Sequence, residues 1–236
     1  MSDDLGRGQV GWGANRWEAL DRIAADTTAA SVVMRNLVER MEQPDARTVR
    51  IAGADIPVVQ LQVDFNYNMQ NEDATDLERR VRLAAQDLAF LEDRAVIDTM
   101  NIPPVPASPN LRSAVFIAAK NALRGRGVQR GFGVVVSVDA LTALETEVVG
   151  SRSGMEVVER VVGTKVAQTN ALDGAAPGNL HAVLFQADPA AFRLVHAYGP
   201  RLRVVGVAGG NVVNLRLEEG IAVGEVTPNR CRGIRL

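Results

Sequence analysis

The chain has 236 residues, enough for one large domain or two small ones with a buried core. Hydrophobic residues make up 47% and charged residues 23%, a globular composition, and 26 Lys plus Arg against 28 Asp plus Glu leave a net charge of −2. That balance supplies no basic excess for nucleic acid or an anionic membrane, and a single cysteine, Cys231, excludes an internal disulfide framework.

No apolar run approaches the ~18 residues of a membrane span. The start "MSDDLGRGQVGWG" has no basic-then-apolar signal pattern. A soluble protein of a reducing cytoplasm is therefore expected. Lys120 and Lys165 are the only lysines; every other basic residue is arginine. Arginine suits interfaces, but genomic base composition explains the bias equally well.

In chain order, residues 1 to about 14 read as a Gly-rich flexible arm. Asn15 is the predicted cap of a helix whose apolar face holds Trp17, Leu20, Ile23 and Ala24. Weak periodicity continues through "SVVMRNLVERM" and ends at "EQPD". Val49 and Ile51 then alternate with polar neighbours, as do Val59, Leu61, Val63 and Phe65, with the turn-forming "AGADIP" between them. This predicts a long two-stranded excursion, marginal by itself and in need of a partner surface.

Residues 73–100 form the strongest predicted helix. Leu77, Val81, Ala84, Leu88, Leu91 and Ala95 recur at steps of four and three, a seam ~40 Å long at 1.5 Å per residue. "NIPPVPASPN", with four prolines in ten residues, stops it. Beyond it the periodicity predicts a helix in "LRSAVFIAAKNALRGRG" ending at Gly125, a buried strand in "FGVVVSV" and a short helix capped by Asp139. A further helix has Ser153 and Glu156 in capping-box spacing and Gly163 as its stop. "TKVAQT", "HAVLFQA", most of 201–226 with a turn at "AGGN", and the terminal "RCRGIRL" read as strands. The sum is α+β with a mixed sheet and no internal repeat.

Chemistry is thinly represented. Asp87, Glu92, Asp93 and Asp98 run through the long helix, but a helical carboxylate metal site wants Glu-x-x-His pairs, and this helix has no histidine. Glu92 falls about 100° from the seam, so the row is expected to face solvent or an interface, with Glu78–Arg82 and Arg94–Asp98 as surface pairs. His181 and His196 neighbour no nucleophile elbow and are expected to be satisfied structural histidines. Cys231 between Arg230 and Arg232 has the setting for a depressed thiol pKa, though no base accompanies it. "GRGVQRG" follows a helix and precedes a strand, the reverse of phosphate-loop order, and leaves a modest basic rim of Arg124, Arg126 and Arg130 without aromatics. The loop "VVGSRSGM" is either an ordinary connector or an anion-facing rim built on Arg152 and a helix N-terminus.

The organisation resembles the fold of tailed-phage major capsid proteins, and in particular the encapsulins, bacterial shell proteins of that fold. The carriers are "WEALDRIAADT", "PVVQLQVDFNYN", "DLERRVRLAAQDLAFLEDRAVI", "ALRGRGVQRGFGVVVSVDALTAL" and "LRLEEGIAVGEVTPNRCRGIRL", in that order from Trp17 to Leu236. The resemblance implies an N-terminal arm and helix (1–44), an extended loop (45–70), a peripheral domain with the spine helix and terminal strands (71–110 and 219–236) and a compact axial domain (111–218). It implies a non-enzymatic shell subunit that self-assembles into an icosahedral compartment around a cargo enzyme bearing a targeting peptide. The alternative is a phage or prophage capsid protein around DNA. Gly150, Ser151, Arg152, Ser153 and Gly154 then fall at a five-fold pore, and Trp17, Leu20 and Ile23 on an inner wall that docks cargo. No catalytic residue, metal or cofactor is implied, and neither nucleic acid nor membrane is an expected partner.

Overall fold

The computed structural model describes residues 5–71, 73–100, 102–103, 113–172, 180–188, 191–209 and 211–234. In chain order it contains α1 (Ala14–Ser31), β1 (Glu39–Glu42), β2 (Thr48–Ile51), β3 (Ala54–Pro57), β4 (Val59–Asn68) and α2 (Ala74–Thr99). There follow α3 (Ser113–Arg124), β5 (Phe132–Val136), α4 (Val138–Thr146), β6 (Val148–Val149), β7 (Arg152–Ser153), α5 (Gly154–Val162) and β8 (Val166–Gln168). The chain closes with β9 (Ala182–Gln186), β10 (Phe192–Ala208), β11 (Val212–Glu225) and β12 (Cys231–Ile234).

Local chemistry sets several boundaries. Asp73 accepts the N–H of Thr75 and starts α2. Ser153 and Glu156 form the full capping box of α5, and Gly163, at φ +84°, ends it in the left-handed conformation that a side chain disfavours. Two caps sit beside the predicted ones. Gly13, not Asn15, precedes α1, and Ser137, not Asp139, caps α4 by accepting the N–H of Ala140. The prolines expected to stop α2 lie, apart from Pro103, outside the described residues.

Two four-stranded sheets organise the molecule. The first has the order β1-β10-β11-β4, the second β12-β9-β5-β8. Leu215, Leu217 and Ile221 of β11 and Leu194 of β10 face α1 and α2 in one large core with Trp17, Leu20, Leu77, Val81 and Leu88. The second sheet packs Val134, Val136 and Leu184 against Phe116 and Leu123 of α3, Leu144 of α4 and Val158 of α5. Burial of these apolar faces is the main favourable contribution to folding.

The sheets reassign three stretches. "SVVMRNLVERM" is not one continued helix: α1 ends at Ser31, a 3-10 turn spans Met34–Asn36, and β1 pairs with β10. The excursion is not one hairpin either. β2 pairs with β3 around Ala52 (φ +52°) and Gly53 (φ +85°), whereas β4 pairs along its whole length with β11. Val49 and Ile51 pack on Val195 and Ala222, the face of the first sheet opposite the helices, so the partner surface lies within the chain itself. The sheets also cross the boundary drawn at 218/219: β10 and the start of β11 belong with α2, and β12 joins the second sheet through β9.

Residues 5–13 are packed rather than free. Arg7 pairs with Asp21 at 2.7 Å and lies over the Trp17 ring, Leu5 O accepts the N–H of Val204, and Val10 is buried. Residues 1–4 of the expected arm lie outside the described residues.

Candidate functional site

The carboxylates of the long helix divide into two kinds. Asp87 and Asp98 are exposed, the latter paired with Arg94 at 2.9 Å. Glu92 and Asp93 are 0% and 2% exposed within the chain itself, so for these two the expectation of a row facing solvent or an interface is overturned. The reason is geometric. Over its C-terminal half α2 is covered on two sides, by the chain that follows α1 and by the first sheet, so the buried arc widens to take in Ala85, Ala89, Glu92, Asp93, Val96 and Ile97. Leu91 and Ala95, placed on the seam by periodicity, are only half-buried.

The two neighbours clamp the same short segment by different means. Asp93 accepts the backbone N–H of Val33 at 3.0 Å and of Met34 at 2.7 Å, and the hydroxyl of Thr169 at 2.9 Å. One carboxylate thus joins the turn after α1, the spine helix and the strand end that leads out of the second sheet. Glu92 holds the next side chain: Arg35 Nε donates to Oε1 at 2.9 Å and Nη2 donates to Oε2. The same Nη2 donates to Glu219 Oε2 at 3.2 Å. His196 on β10 completes the group, with Nε2 3.8 Å from Glu92 Oε1.

Two carboxyl groups around one guanidinium out of water cannot both carry charge cheaply. Burial, and then the Glu92 carboxylate, push Glu219 up to about 9, so it keeps its proton at neutral pH. For Arg35, burial works against the charge, but Glu92 and Glu219 outweigh it and raise the guanidinium further. Burial, then the Arg35 charge, bring His196 down to about 4. It is a neutral ring, and neither of its nitrogens has a hydrogen-bond partner among the described residues, against the expectation of a satisfied histidine. Burial lifts Asp93 to about 6 against the pull of its three donors. A groove of about 800 Å³ opens beside Asp93 and is also lined by Asp87, Phe90 and Gln168.

This arrangement fixes segments, and the charged group that meets the His196 ring is the Glu92 carboxylate. Among the described residues no group of three His, Cys, Asp or Glu is placed to hold a metal. Cys231 is buried, and burial followed by Glu225 pushes its thiol up to about 12, the opposite of the depressed value its arginine neighbours suggest. His181 lies at the start of β9, where its carbonyl accepts the N–H of Ser137.

The other sequence-derived residues fall in two places. Gly150–Gly154 fall in the β6–β7 hairpin and the first residue of α5, with Gly150 at φ +66° in the two-residue turn. Ser151 and Arg152 are exposed, Ser153 caps α5, and Gly154 is buried against Glu147, where a Cβ would come within 2.2 Å of the carboxylate. Trp17 and Leu20 are 4% and 3% exposed and belong to the core, so of the three α1 residues only Ile23 keeps surface. Their apolar spacing marks the face of α1 turned toward α2, which sequence alone cannot tell from a docking face.

Arg35, Glu219 and His196 were not singled out together from sequence. The available signals were a lone cation in the apolar "VVMRNLV" and paired acids in the strand "RLEEGIAV".

No family model matches the chain. A type 1 encapsulin shell protein of Mycolicibacterium paratuberculosis is 29% identical over 167 residues, 62% of this chain and 63% of that one, so the match spans less than two thirds of the relative. A virus-like particle from Pyrococcus furiosus matches in structure with TM-score 0.69 and 15% identity, over 93% of this chain and 99% of that one. A chain of the mature capsid of bacteriophage PhiM1 matches with TM-score 0.59 and 13% identity over 87% of each. The fold is that of tailed-phage major capsid proteins, and in sequence the chain resembles an encapsulin shell protein. Among the described residues no helix is long and apolar enough to cross a membrane.

Proposed function

We propose that this chain is the subunit of a self-assembling icosahedral shell that encloses a cargo protein in the cytoplasm. The observation that carries the reading is its match to 99% of a virus-like-particle subunit, joined to sequence similarity with an encapsulin shell protein. In this reading the second sheet with α3–α5 is the axial unit. The first sheet with α1 and α2 is the peripheral one, and residues 45–70 form the extended-loop region. The subunit performs no chemistry; the compartment does its work by containment and by what its openings admit. The β6–β7 hairpin supports a pore: it is short, it is exposed from Val148 to Arg152, its Ser153 caps α5, and a ring of copies would bring Arg152 side chains together and favour anions. A cargo peptide would dock on exposed parts of α1 near Ile23, since Trp17 and Leu20 are committed to the core.

Negative-stain imaging of purified, nuclease-treated protein tests this. Uniform hollow particles with a co-purifying protein are expected. Nuclease-protected, genome-length DNA inside them would reassign the chain to the phage capsid alternative, and protein that stays monomeric at all concentrations would refute the shell.

A further inference from the structure

A cavity of about 440 Å³ lies between the end of α5 and the turn that leads into β5. Two glycines in the left-handed conformation shape its rim. Gly163, at φ +84°, ends α5 and turns the chain to Thr164, and Gly131, at φ +69°, turns it from Arg130 into β5. The Gly131 carbonyl accepts the N–H of Ala187 at 2.5 Å, which ties that turn to the residue after β9. Val162 and Ala187 supply apolar wall; Lys120, Gln129, Arg130 and Thr164 supply polar wall.

Lys120 stands apart from the rest. It is one of two lysines in a chain whose other basic residues are all arginine, and it is 8% exposed. Its ammonium donates to Val161 O in the last turn of α5 and lies 5.2 Å from the centre of the Phe132 ring. The first contact ties α3 to α5, as a cation at a helix C-terminus does. An ammonium carries three hydrogens, and this one has a single hydrogen-bond acceptor among the described residues. Burial, then the Arg124 charge, lower its pKa. A lowered value is the sign of a cation that lacks an anionic partner.

No carboxylate makes up the deficit. None lines the cavity among the described residues, where Lys120 and Arg130 also form no ion pair. Glu159, in the last turn of α5, is taken by Lys165 at 2.6 Å and by the N–H of Val166 at 3.2 Å. The Arg130 guanidinium, the Gln129 amide and the Thr164 hydroxyl have no hydrogen-bond partner among the described residues. The cavity therefore gathers donors from four side chains, two of them cationic, and such a set matches the oxygens of a carboxylate or phosphate. Burial has already ordered the Lys120 side chain, so little freedom is lost when a ligand meets it.

We propose that this cavity binds a small oxyanion, a carboxylate or a phosphate, between Lys120 and Arg130, with the rest of the molecule against Val162 and Ala187. The site is built within one subunit, so it goes beyond the shell reading and does not depend on it. The ligand supplies the negative charge that Lys120 lacks inside the fold, and its oxygens accept from Gln129 and Thr164.

Amine labelling of the full-length protein tests the site. Its amines are those of Lys120, Lys165 and the N-terminus, which peptide mass spectrometry reads apart. Labelling by an N-hydroxysuccinimide ester is followed in sodium butyrate, in sodium phosphate and in sodium chloride of matched ionic strength. Butyrate or phosphate is expected to slow Lys120 several-fold relative to chloride and to leave the exposed Lys165 unchanged. Greater protection by butyrate assigns the cavity to carboxylates, and greater protection by phosphate assigns it to phosphates. Isothermal titration with both anions then compares wild type with Arg130→Gln, a change on the exposed rim. A loss of at least about tenfold in affinity is expected, with an unchanged far-ultraviolet circular dichroism spectrum. Protection no greater than in chloride reduces Lys120 to a cap of α5 and overturns the proposal. Equal affinity in Arg130→Gln also overturns it, since the anion then sits elsewhere. The titration decides even where burial keeps Lys120 from labelling: wild type that binds neither anion refutes the site.

Discussion

Arg35 and Glu92 meet through both nitrogens and both oxygens of their facing edges, wholly inside the protein, fifty-seven positions apart in the chain. The contact locks the 3-10 turn ahead of β1 against the spine helix. It also reaches Glu219, so the cost of losing a member depends on what the others can do in response.

That dependence orders two substitutions. Arg35→Leu strands Glu92 and Glu219 without a cation and is expected to destabilise by about 3–5 kcal/mol. Glu92→Gln leaves Arg35 with Glu219, which is freed from its like-charged neighbour to ionise in turn, so about 1–2 kcal/mol is expected. Denaturant unfolding in urea reads both, and an equal or larger loss in Glu92→Gln would contradict a neutral Glu219 able to ionise in its place.

Glu219 carries a pH signature. Its folded pKa lies above its unfolded one, so its contribution is full below the ordinary carboxylate range and is lost as pH rises toward about 9. Glu219→Gln mimics the neutral acid and does not titrate. The difference in unfolding free energy should therefore move in favour of the variant between pH 5 and pH 9, at up to about 1.4 kcal/mol per pH unit. Melts of both proteins at pH 5, 7 and 9 check it; a constant difference would mean that Glu219 is already charged at pH 5.

Ile51 decides where the β2–β3 hairpin lives. It is 1% exposed and packs so closely on Gly224 that a Cβ there would lie 2.8 Å from it. Ile51→Ala should cost about 2–4 kcal/mol in the unassembled subunit. A negligible loss before assembly, appearing only in particles, would place the hairpin on a neighbour instead.

Arg152→Glu tests the proposed opening. It reverses one exposed charge on the hairpin and should leave subunit stability within about 0.5 kcal/mol. Entry of a small anionic dye into assembled particles should slow, and entry of a cationic one should quicken. Equal kinetics for both dyes in wild type and variant would remove the hairpin from the pore.

Much of the fold was legible because its signals are local. The box of Ser153 and Glu156, the stop at Gly163 and the β5 run each depend on residues within a few positions. What failed was long-range. Nothing near residue 59 announces that β4 will pair with residues 212–221, and an alternating strand looks the same beside either neighbour. The two carboxylates failed for a related reason: periodicity defines one seam, whereas α2 is enclosed on two sides over its second half, and only the tertiary arrangement tells which residues just off the seam are inside. The caps missed by two positions each, since Gly13 and Asn15, or Ser137 and Asp139, are near-equal candidates.

The pairing of β4 sets a timetable for synthesis. Its partners lie 144 to 162 residues downstream, at Val212 for Asn68 and Ile221 for Val59. At roughly 5–20 residues per second, a ribosome needs on the order of 10–30 s to make that span. Throughout that interval the first sheet lacks its central strand β11, and β4 waits with both edges bare. A nascent chain cannot complete the first sheet until Ile221 has been made. A chain cut short before Val212 has no β11 and leaves β4 and β10 without the strand that lies between them.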